Sequence, residues 1–273
     1  LRPIVPSYYI AGPDINTTER EMEWFAEANG EWTSVTGKPA NYCQTIKGKK
    51  YCGLPHELGS TGFGVALATV LALEHLEINL KDAEIMIAGY GNVGVFVHKF
   101  LQEKGTKIVA VSDTSGTMYD RRGIDFTKLN DVKQKTGSVL NYPGGKKLTR
   151  EVIYELSADA LIPAAGTDVI NETNVTKVKA KSIIEGANIP MREEYEKQLH
   201  RKDILIIPDF LANAGGVISS YAEYKGYDAK KMFKLVEEKI TTNTKEVFAM
   251  VGKGSTTPRD AAMRIAKKRV LEA

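Results

Sequence analysis

A short apolar run that breaks into three glycines at fixed spacing, and then into a helical pattern, constrains this chain more than any other stretch. Ile85-Met86-Ile87-Ala88 reads as a buried strand, Gly89-Tyr90-Gly91-Asn92-Val93-Gly94 as a turn, and Val95 to Leu101 as the helix it opens. Gly89 permits the tight turn out of the strand, Gly91 leaves room for a pyrophosphate to approach the backbone, and Gly94 lets helix and strand pack closely. The first free N–H groups of the helix, near Asn92 and Val93, face an anion with a favourable dipole. Lys107 to Ser112 is a second strand candidate, and Asp113 follows Gly94 by nineteen positions. An acid about 20 residues on is the one expected to hold the adenosine ribose hydroxyls of a dinucleotide. The bland alternative, any strand–turn–helix followed by an exposed Asp, fits this context less well.

Composition bounds the rest. With 273 residues, 42% of them hydrophobic, the chain reads as an ordinary globular protein of one or two domains. A net charge of +3 without a run of Lys or Arg gives no reason to expect nucleic acid. No apolar stretch reads as long enough to span a bilayer, so no membrane is expected. The start, Leu1-Arg2-Pro3-Ile4, has neither an initiator Met nor a signal-peptide pattern, as expected of a fragment or processed piece. Cys43 and Cys52 lack partners for a zinc site, so no metal is expected. Two thiols in so long a chain read as incidental and suggest a reducing compartment, with the cytoplasm as the default.

Thr18-x-x-Glu21 is a capping box ahead of a helix with Met22, Phe25 and Ala26 on its apolar face. Asn29 to Gly59 reads as irregular, and a largely apolar helix begins at Thr61. Strands are then expected at 84–88, 107–112, 158–162, 182–185 and 204–207. Helices are expected near 92–104, 125–136, 149–156, 171–175 and 190–201, and across the tail as 215–250 and 258–272, parted by Gly252-Lys253-Gly254. Such alternation argues for an α/β, Rossmann-like, doubly wound parallel sheet with helices on both faces. Several strands end in small or polar residues: Gly89, Asp113, Pro163-Ala164-Ala165-Gly166, Gly186-Ala187-Asn188 and Pro208-Asp209. In a parallel sheet these ends line one edge, where ligands bind. Asn188 is suited to bond a ribose or a carboxamide.

With those residues placed, the chain resembles the glutamate dehydrogenase family of amino-acid dehydrogenases from about residue 8 to the end. Six motifs carry the likeness: Ala11 to Thr17, Gly59 to Val65, Gly89 to Gly94, Ile184 to Asn188, Pro208 to Val217, and Pro258 to Ala262. The resemblance implies reversible oxidative deamination of glutamate to 2-oxoglutarate and ammonia, with hydride passing from Cα to the nicotinamide of NAD or NADP. It implies that Asp14 shuttles protons at the amine; a turn-forming Asp in Gly-Pro-Asp is the reading without it. Thr61, Ala164, Ala165, Asn188 and Asn213 would join Gly89, Gly91, Asn92, Val93, Gly94 and Asp113 around the coenzyme. Val217 and Ser220 would line the pocket for the substrate side chain, where a hydroxyl supports glutamate over the apolar substrates of leucine- and phenylalanine-type relatives.

On this resemblance, residues 1–58 are the remnant of a truncated substrate domain, 59–252 the dinucleotide-binding domain, and 253–273 a terminal helix returning to the substrate domain. The family's glycine-rich segment with substrate-binding lysines has no counterpart, since Gly144-Gly145-Lys146-Lys147 falls too late in the chain. The piece is therefore expected to bind dinucleotide and turn over little glutamate by itself. A full-length member would form a homo-hexamer. Asp113 favours NAD, while Ser112, Thr114, Ser115, Arg121 and Arg122 keep NADP open. Two further readings stand beside the first: a branched-chain or aromatic amino-acid dehydrogenase, and a catalytically silent NAD-binding module.

Overall fold

The computed structural model describes residues 4–14, 16–251 and 256–272. In chain order the elements are α1 (Glu19–Asn29), β1 (Cys43–Ile46), β2 (Lys49–Cys52), α2 (Ser60–His75), β3 (Glu84–Ala88) and α3 (Asn92–Glu103). Then follow β4 (Lys107–Asp113), β5 (Gly116–Tyr119), α4 (Phe126–Thr136), β6 (Lys146–Leu148), β7 (Ala160–Pro163) and β8 (Ser182–Ile184). The last are α5 (Glu193–His200), β9 (Leu205–Ile207), α6 (Asp209–Ala212), α7 (Gly215–Tyr224), α8 (Ala229–Val251) and α9 (Pro258–Leu271). The chain divides into two compact units, Leu1–Thr61 with Ala214–Lys239, and Gly62–Asn213 with Ile240–Ala273.

In the first unit, α1 begins at the expected capping box: the backbone N–H of Thr18 donates to Glu21 Oε2 at 2.7 Å. Met22 and Ala26 pack with Val35 in a small core. The stretch expected to be irregular contains the antiparallel hairpin β1–β2, turned by Lys47 and Gly48, both left-handed with φ of 49° and 78°. Residues with positive φ at both turn positions match the twist of a two-residue hairpin. The turn places Cys43 opposite Cys52, and the two form a disulfide with Cα atoms 4.1 Å apart. They are not free incidental thiols, and the reducing-compartment inference drawn from them loses its basis. The tail expected as one helix from Gly215 to Met250 is two, α7 and α8, because Gly226 turns the chain at φ 65°.

The second unit is built on a seven-stranded sheet in the order β6-β5-β4-β3-β7-β8-β9. The neighbours from β4 through β3, β7 and β8 to β9 are parallel, as the alternation of elements predicts. The antiparallel strands β5 and β6, at one end of the sheet, were not foreseen, since neither is apolar enough to stand out from the loop around it. Met86, Ala88, Val109, Leu161, Ile183 and Ile206 form the centre of one large core cluster. Two expected helices are absent. Residues 149–156 hold only the 3-10 segment Arg150–Tyr154, and 171–175 form a turn in which Asn171 and Asn174 bond to nearby backbone.

The stretch His56–His75, which includes α2, has a mean hydropathy of 1.2 and is long and apolar enough to cross a bilayer, contrary to the expectation that no such run exists. Length and composition are all that qualify it. Val65, Ala68, Leu71, Ala72 and Leu73 are buried, and 56% of the window is covered by protein. The expected break at Gly252-Lys253-Gly254 lies outside the described residues.

Candidate dinucleotide-binding site

Chain order and strand order together define where a ligand would sit. From β3 the chain crosses to β4 on one side and later returns to β7 on the other, so the sheet has its switch point between β3 and β7. Ligands of open α/β sheets bind at the carboxyl ends of strands at such a point. There the Gly89 N–H donates to Ser112 O (3.0 Å) and the Ala164 N–H to Ala88 O (2.7 Å), locking three strand ends together.

The glycines do what their spacing implies. Gly89 has φ 109°, and a Cβ on it would stand 2.7 Å from the backbone of Ala164 and Ala165. A Cβ on Gly94 would come within 2.0 Å of the Gly89 carbonyl oxygen, so α3 reaches the strand end only because Gly94 has none. A side chain on Gly91 would meet no protein atom within 4 Å, yet Gly91 lines a cleft of about 280 Å³. That open cradle, facing the start of α3 at Asn92 and Val93, fits a diphosphate. Gly89, Tyr90, Ser112, Asp113, Thr114, Lys133, Arg150, Ala164 and Ala165 line the same cleft.

Tyr90 ties this loop to the helix behind it. Its Oη lies 2.9 Å from His98 Nδ1, and His98 Nε2 lies 2.9 Å from the Ile124 carbonyl oxygen. A carbonyl only accepts, so Nε2 carries the proton and the Tyr90 hydroxyl donates to Nδ1. Burial pushes His98 down to about 4, against the opposing pull of the Ile124 carbonyl and Asp125. The imidazole is therefore neutral at physiological pH.

Asp113 ends β4 almost fully buried. Its Oδ1 accepts from the Ser115 N–H at 2.8 Å; its Oδ2 accepts from the Val139 N–H at 2.8 Å and from Lys133 Nζ at 2.7 Å. Burial works against its charge, but these donors, Lys133 first, outweigh it and hold the carboxyl below its ordinary range. Sequence reading missed Lys133 and Arg150. Neither belongs to a local motif: Lys133 reaches Asp113 from α4, and Arg150 comes from the 3-10 segment after β6. The arginines that sequence offered instead face elsewhere, Arg121 paired with Glu84 and Arg122 with Asp120.

On the far side of β3 from Asp113, Asn188 follows β8, and its Oδ1 accepts from Asn213 Nδ2 at 2.7 Å. The remaining expected residues belong to the first unit. Asp14 is exposed in a turn, where its N–H donates to Thr17 Oγ1 at 2.7 Å and Thr17 Oγ1 donates back to the Asp14 carbonyl at 2.8 Å. Its neighbour Pro13 packs on Gly37, where a Cβ would meet the proline ring at 2.7 Å. Thr61 abuts the start of α7: a Cβ on Gly216 would stand 2.7 Å from Thr61 Oγ1. On α7, Val217 is 76% exposed and Ser220 half-buried.

The same unit holds a buried ion pair that sequence did not reveal. Lys38, with no exposed surface, places Nζ 2.5 Å from Glu223 Oε1 and 3.7 Å from the centre of the Trp32 ring, and donates to the Val35 carbonyl. Glu223 Oε2 accepts from the N–H groups of Gly37 and Leu54, each at 2.7 Å. Nothing local in Thr36-Gly37-Lys38-Pro39 signals that its lysine turns inward to a glutamate far along the chain.

Residues 53–273 match the family model described as Glutamate/Leucine/Phenylalanine/Valine dehydrogenase. The chain is 40% identical over 280 residues to a glutamate dehydrogenase of Aeropyrum pernix, covering 97% of this chain and 65% of the relative. It is 44% identical over 215 residues to an NADP-specific glutamate dehydrogenase of Saccharolobus shibatae, covering 79% of this chain and 50% of the relative. The chain thus spans less than two thirds of either relative's length. A hetero-hexameric glutamate dehydrogenase from Thermus thermophilus, solved in a Leu-bound form, superposes on all of this chain with a TM-score of 0.85 at 25% identity, using 65% of its own length. The glycine loop, the strand order and these matches agree, and the chain belongs to the glutamate/leucine/phenylalanine/valine dehydrogenase family.

Proposed function

We propose that this chain supplies the coenzyme-binding part of a glutamate dehydrogenase, catalysing the reversible NAD(P)-dependent oxidative deamination of L-glutamate to 2-oxoglutarate and ammonia. The observation that carries the reading is the open cradle at Gly91, facing the first turn of α3 at the switch point of the sheet. Relatives that bear the name glutamate dehydrogenase at 40% and 44% identity support the choice of substrate. When bound, the nicotinamide supplies the acceptor for the hydride leaving the substrate Cα.

The residues of the chain divide the remaining work. The N–H groups of Asn92 and Val93 hold the diphosphate, with Gly89, Gly94, Ala164 and Ala165 shaping its bed. Asp113 accepts from the adenosine ribose. Asn188, held by Asn213, binds the nicotinamide half. Asp14 takes a proton from the substrate amine and returns it to the departing ammonia, and Val217 and Ser220 bound the substrate side chain. Lys38 is not free to clamp a substrate carboxylate, since its ammonium is spent on Glu223.

For the coenzyme, the geometry favours accepting NADP at least as well as NAD, a departure from what Asp113 alone suggests. Lys133 neutralises Asp113, and Arg150 adds a second cation to the same cleft, so a 2′-phosphate meets net positive charge there. The longer form is proposed to be homo-oligomeric and to act on small molecules. Titrating the protein calorimetrically with NAD and with NADP tests the reading, followed by assay of glutamate-dependent coenzyme reduction. Binding of NADP at least as tight as that of NAD is expected; binding of neither overturns the proposal.

A further inference from the structure

Arg259, in the first turn of α9, stands among three carboxylates of the second unit. Its Nε donates to both oxygens of Glu196 at 2.7 and 2.8 Å, and its Nη2 donates to Glu185 Oε2 at 2.8 Å and Asp209 Oδ1 at 3.0 Å. Glu185 and Asp209 follow the neighbouring strands β8 and β9, and the Asp209 N–H donates to Glu185 Oε2 at 2.8 Å. Burial first, then the nearby Glu196 carboxylate, push Glu185 up to about 9, so it keeps its proton at neutral pH. The guanidinium bridges all three carboxyl groups. Thr257 caps α9 and Pro258 opens it, which sets Arg259 in the first turn.

The second oxygen of Asp209 is what connects this cluster to the coenzyme edge. Asp209 Oδ2 accepts from the Ile189 N–H at 2.9 Å, and Ile189 has φ 47°. A β-branched residue in the left-handed region costs free energy and persists only where its surroundings over-determine it. Those surroundings are visible: Asp168 N–H donates to the Ile189 carbonyl at 3.0 Å, and Thr167 Oγ1 donates to the Asn188 carbonyl at 3.2 Å. Asn188 immediately precedes the strained residue. Its carboxamide, which accepts from Asn213 Nδ2 at 2.7 Å, projects from the backbone that Ile189 fixes, and Asp209 holds both the Ile189 N–H and, through its own carbonyl, the Asn213 N–H at 2.8 Å.

We propose that Arg259 is a positioning residue for the nicotinamide half of the coenzyme: it fixes Asp209, Asp209 fixes the Ile189 backbone, and that backbone aims the Asn188 carboxamide. The proposal rests on the coenzyme reading above. Strand order makes it specific. The diphosphate loop follows β3 and the adenosine-side Asp113 ends β4, so the other half of the molecule extends over β7 and β8, where Asn188 stands. None of the residues assigned to the adenosine half is a hydrogen-bond partner of Arg259.

The test compares two ligands on the intact chain by calorimetry: NADP, and adenosine 2′,5′-bisphosphate, which carries only the adenosine half. Arg259→Met is expected to weaken NADP about tenfold while changing the bisphosphate Kd by less than about twofold. Arg259→Lys, which keeps the charge but loses the forked donors, is expected to fall between Met and wild type for NADP. Should the Met variant not fold, the Lys variant decides by the same comparison. Equal weakening of both ligands, or unchanged NADP affinity in a folded variant, overturns the positioning role. Failure of the wild type to bind NADP, NAD or the bisphosphate instead overturns the coenzyme reading on which it rests.

Discussion

The Tyr90 hydroxyl and His98 Nδ1, 2.9 Å apart in the interior, fasten the glycine loop to the helix it opens. Tyr90 lies between Gly89 and Gly91, so its side chain anchors a backbone that must otherwise stay bare for a phosphate. The price of that anchor is a buried imidazole that has to remain neutral.

Its titration gives a pH dependence of known sign. With the folded-state value near 4 and the ordinary value at 6.5, the unfolded chain takes up a proton first as pH falls. The contribution is complete above about pH 6.5 and is lost progressively towards pH 4, on the order of 3 kcal/mol in all. Urea unfolding at several pH values, compared between wild type and His98→Gln, measures it. The wild type should lose more stability across that window than the variant; parallel curves would contradict the assignment.

Lys133 should set coenzyme choice. Lys133→Ala strips Asp113 of its side-chain cation and removes one of the two cations of the cleft, so a 2′-phosphate loses the attraction that offsets the acid. NADP affinity is expected to fall about tenfold or more, and NAD affinity by less than about threefold. Calorimetric titration with both coenzymes decides it, and an equal loss for the two would place the phosphate elsewhere.

Lys38 should matter to stability without touching coenzyme. Lys38→Met leaves the Glu223 carboxylate buried without its cation, a change that typically costs about 3–5 kcal/mol. Thermal and urea unfolding should show the loss. Because Glu223 also accepts from Gly37 and Leu54, Glu223→Gln, which keeps an acceptor for them, should cost less than Glu223→Ala. Equal costs for those two would mean that the backbone donors are not dependent on Glu223.

What sequence revealed and what it hid divide along a physical line. The glycine loop, β3, β4, α3 and the capping box of α1 were legible because each is specified by residues within one or two turns of one another. The parallel order of the sheet followed from alternation, a property of the whole chain. Lys133 at Asp113, Lys38 at Glu223 and Arg259 among its carboxylates were invisible, since each joins residues that only the fold brings together. The Cys43–Cys52 bond was missed for a nearer reason. Lys47-Gly48 lacks the usual Asn-Gly or Asp-Gly signature, so the hairpin that places the cysteines face to face did not announce itself. The 3-10 segment at Arg150–Tyr154 replaced an expected helix, and the arginine opening it joined the cleft by that route.

The central claim is that a dinucleotide lies across the carboxyl edge of the sheet with its diphosphate on the first turn of α3. A crystal structure of the protein grown with saturating NADP tests this most directly. The account predicts diphosphate oxygens within about 3 Å of the backbone nitrogens of Asn92 and Val93, the 2′-phosphate beside Lys133, and the nicotinamide over the β7–β8 side near Asn188. An empty cradle at Gly91 under those conditions, or a coenzyme bound at another place, would contradict it.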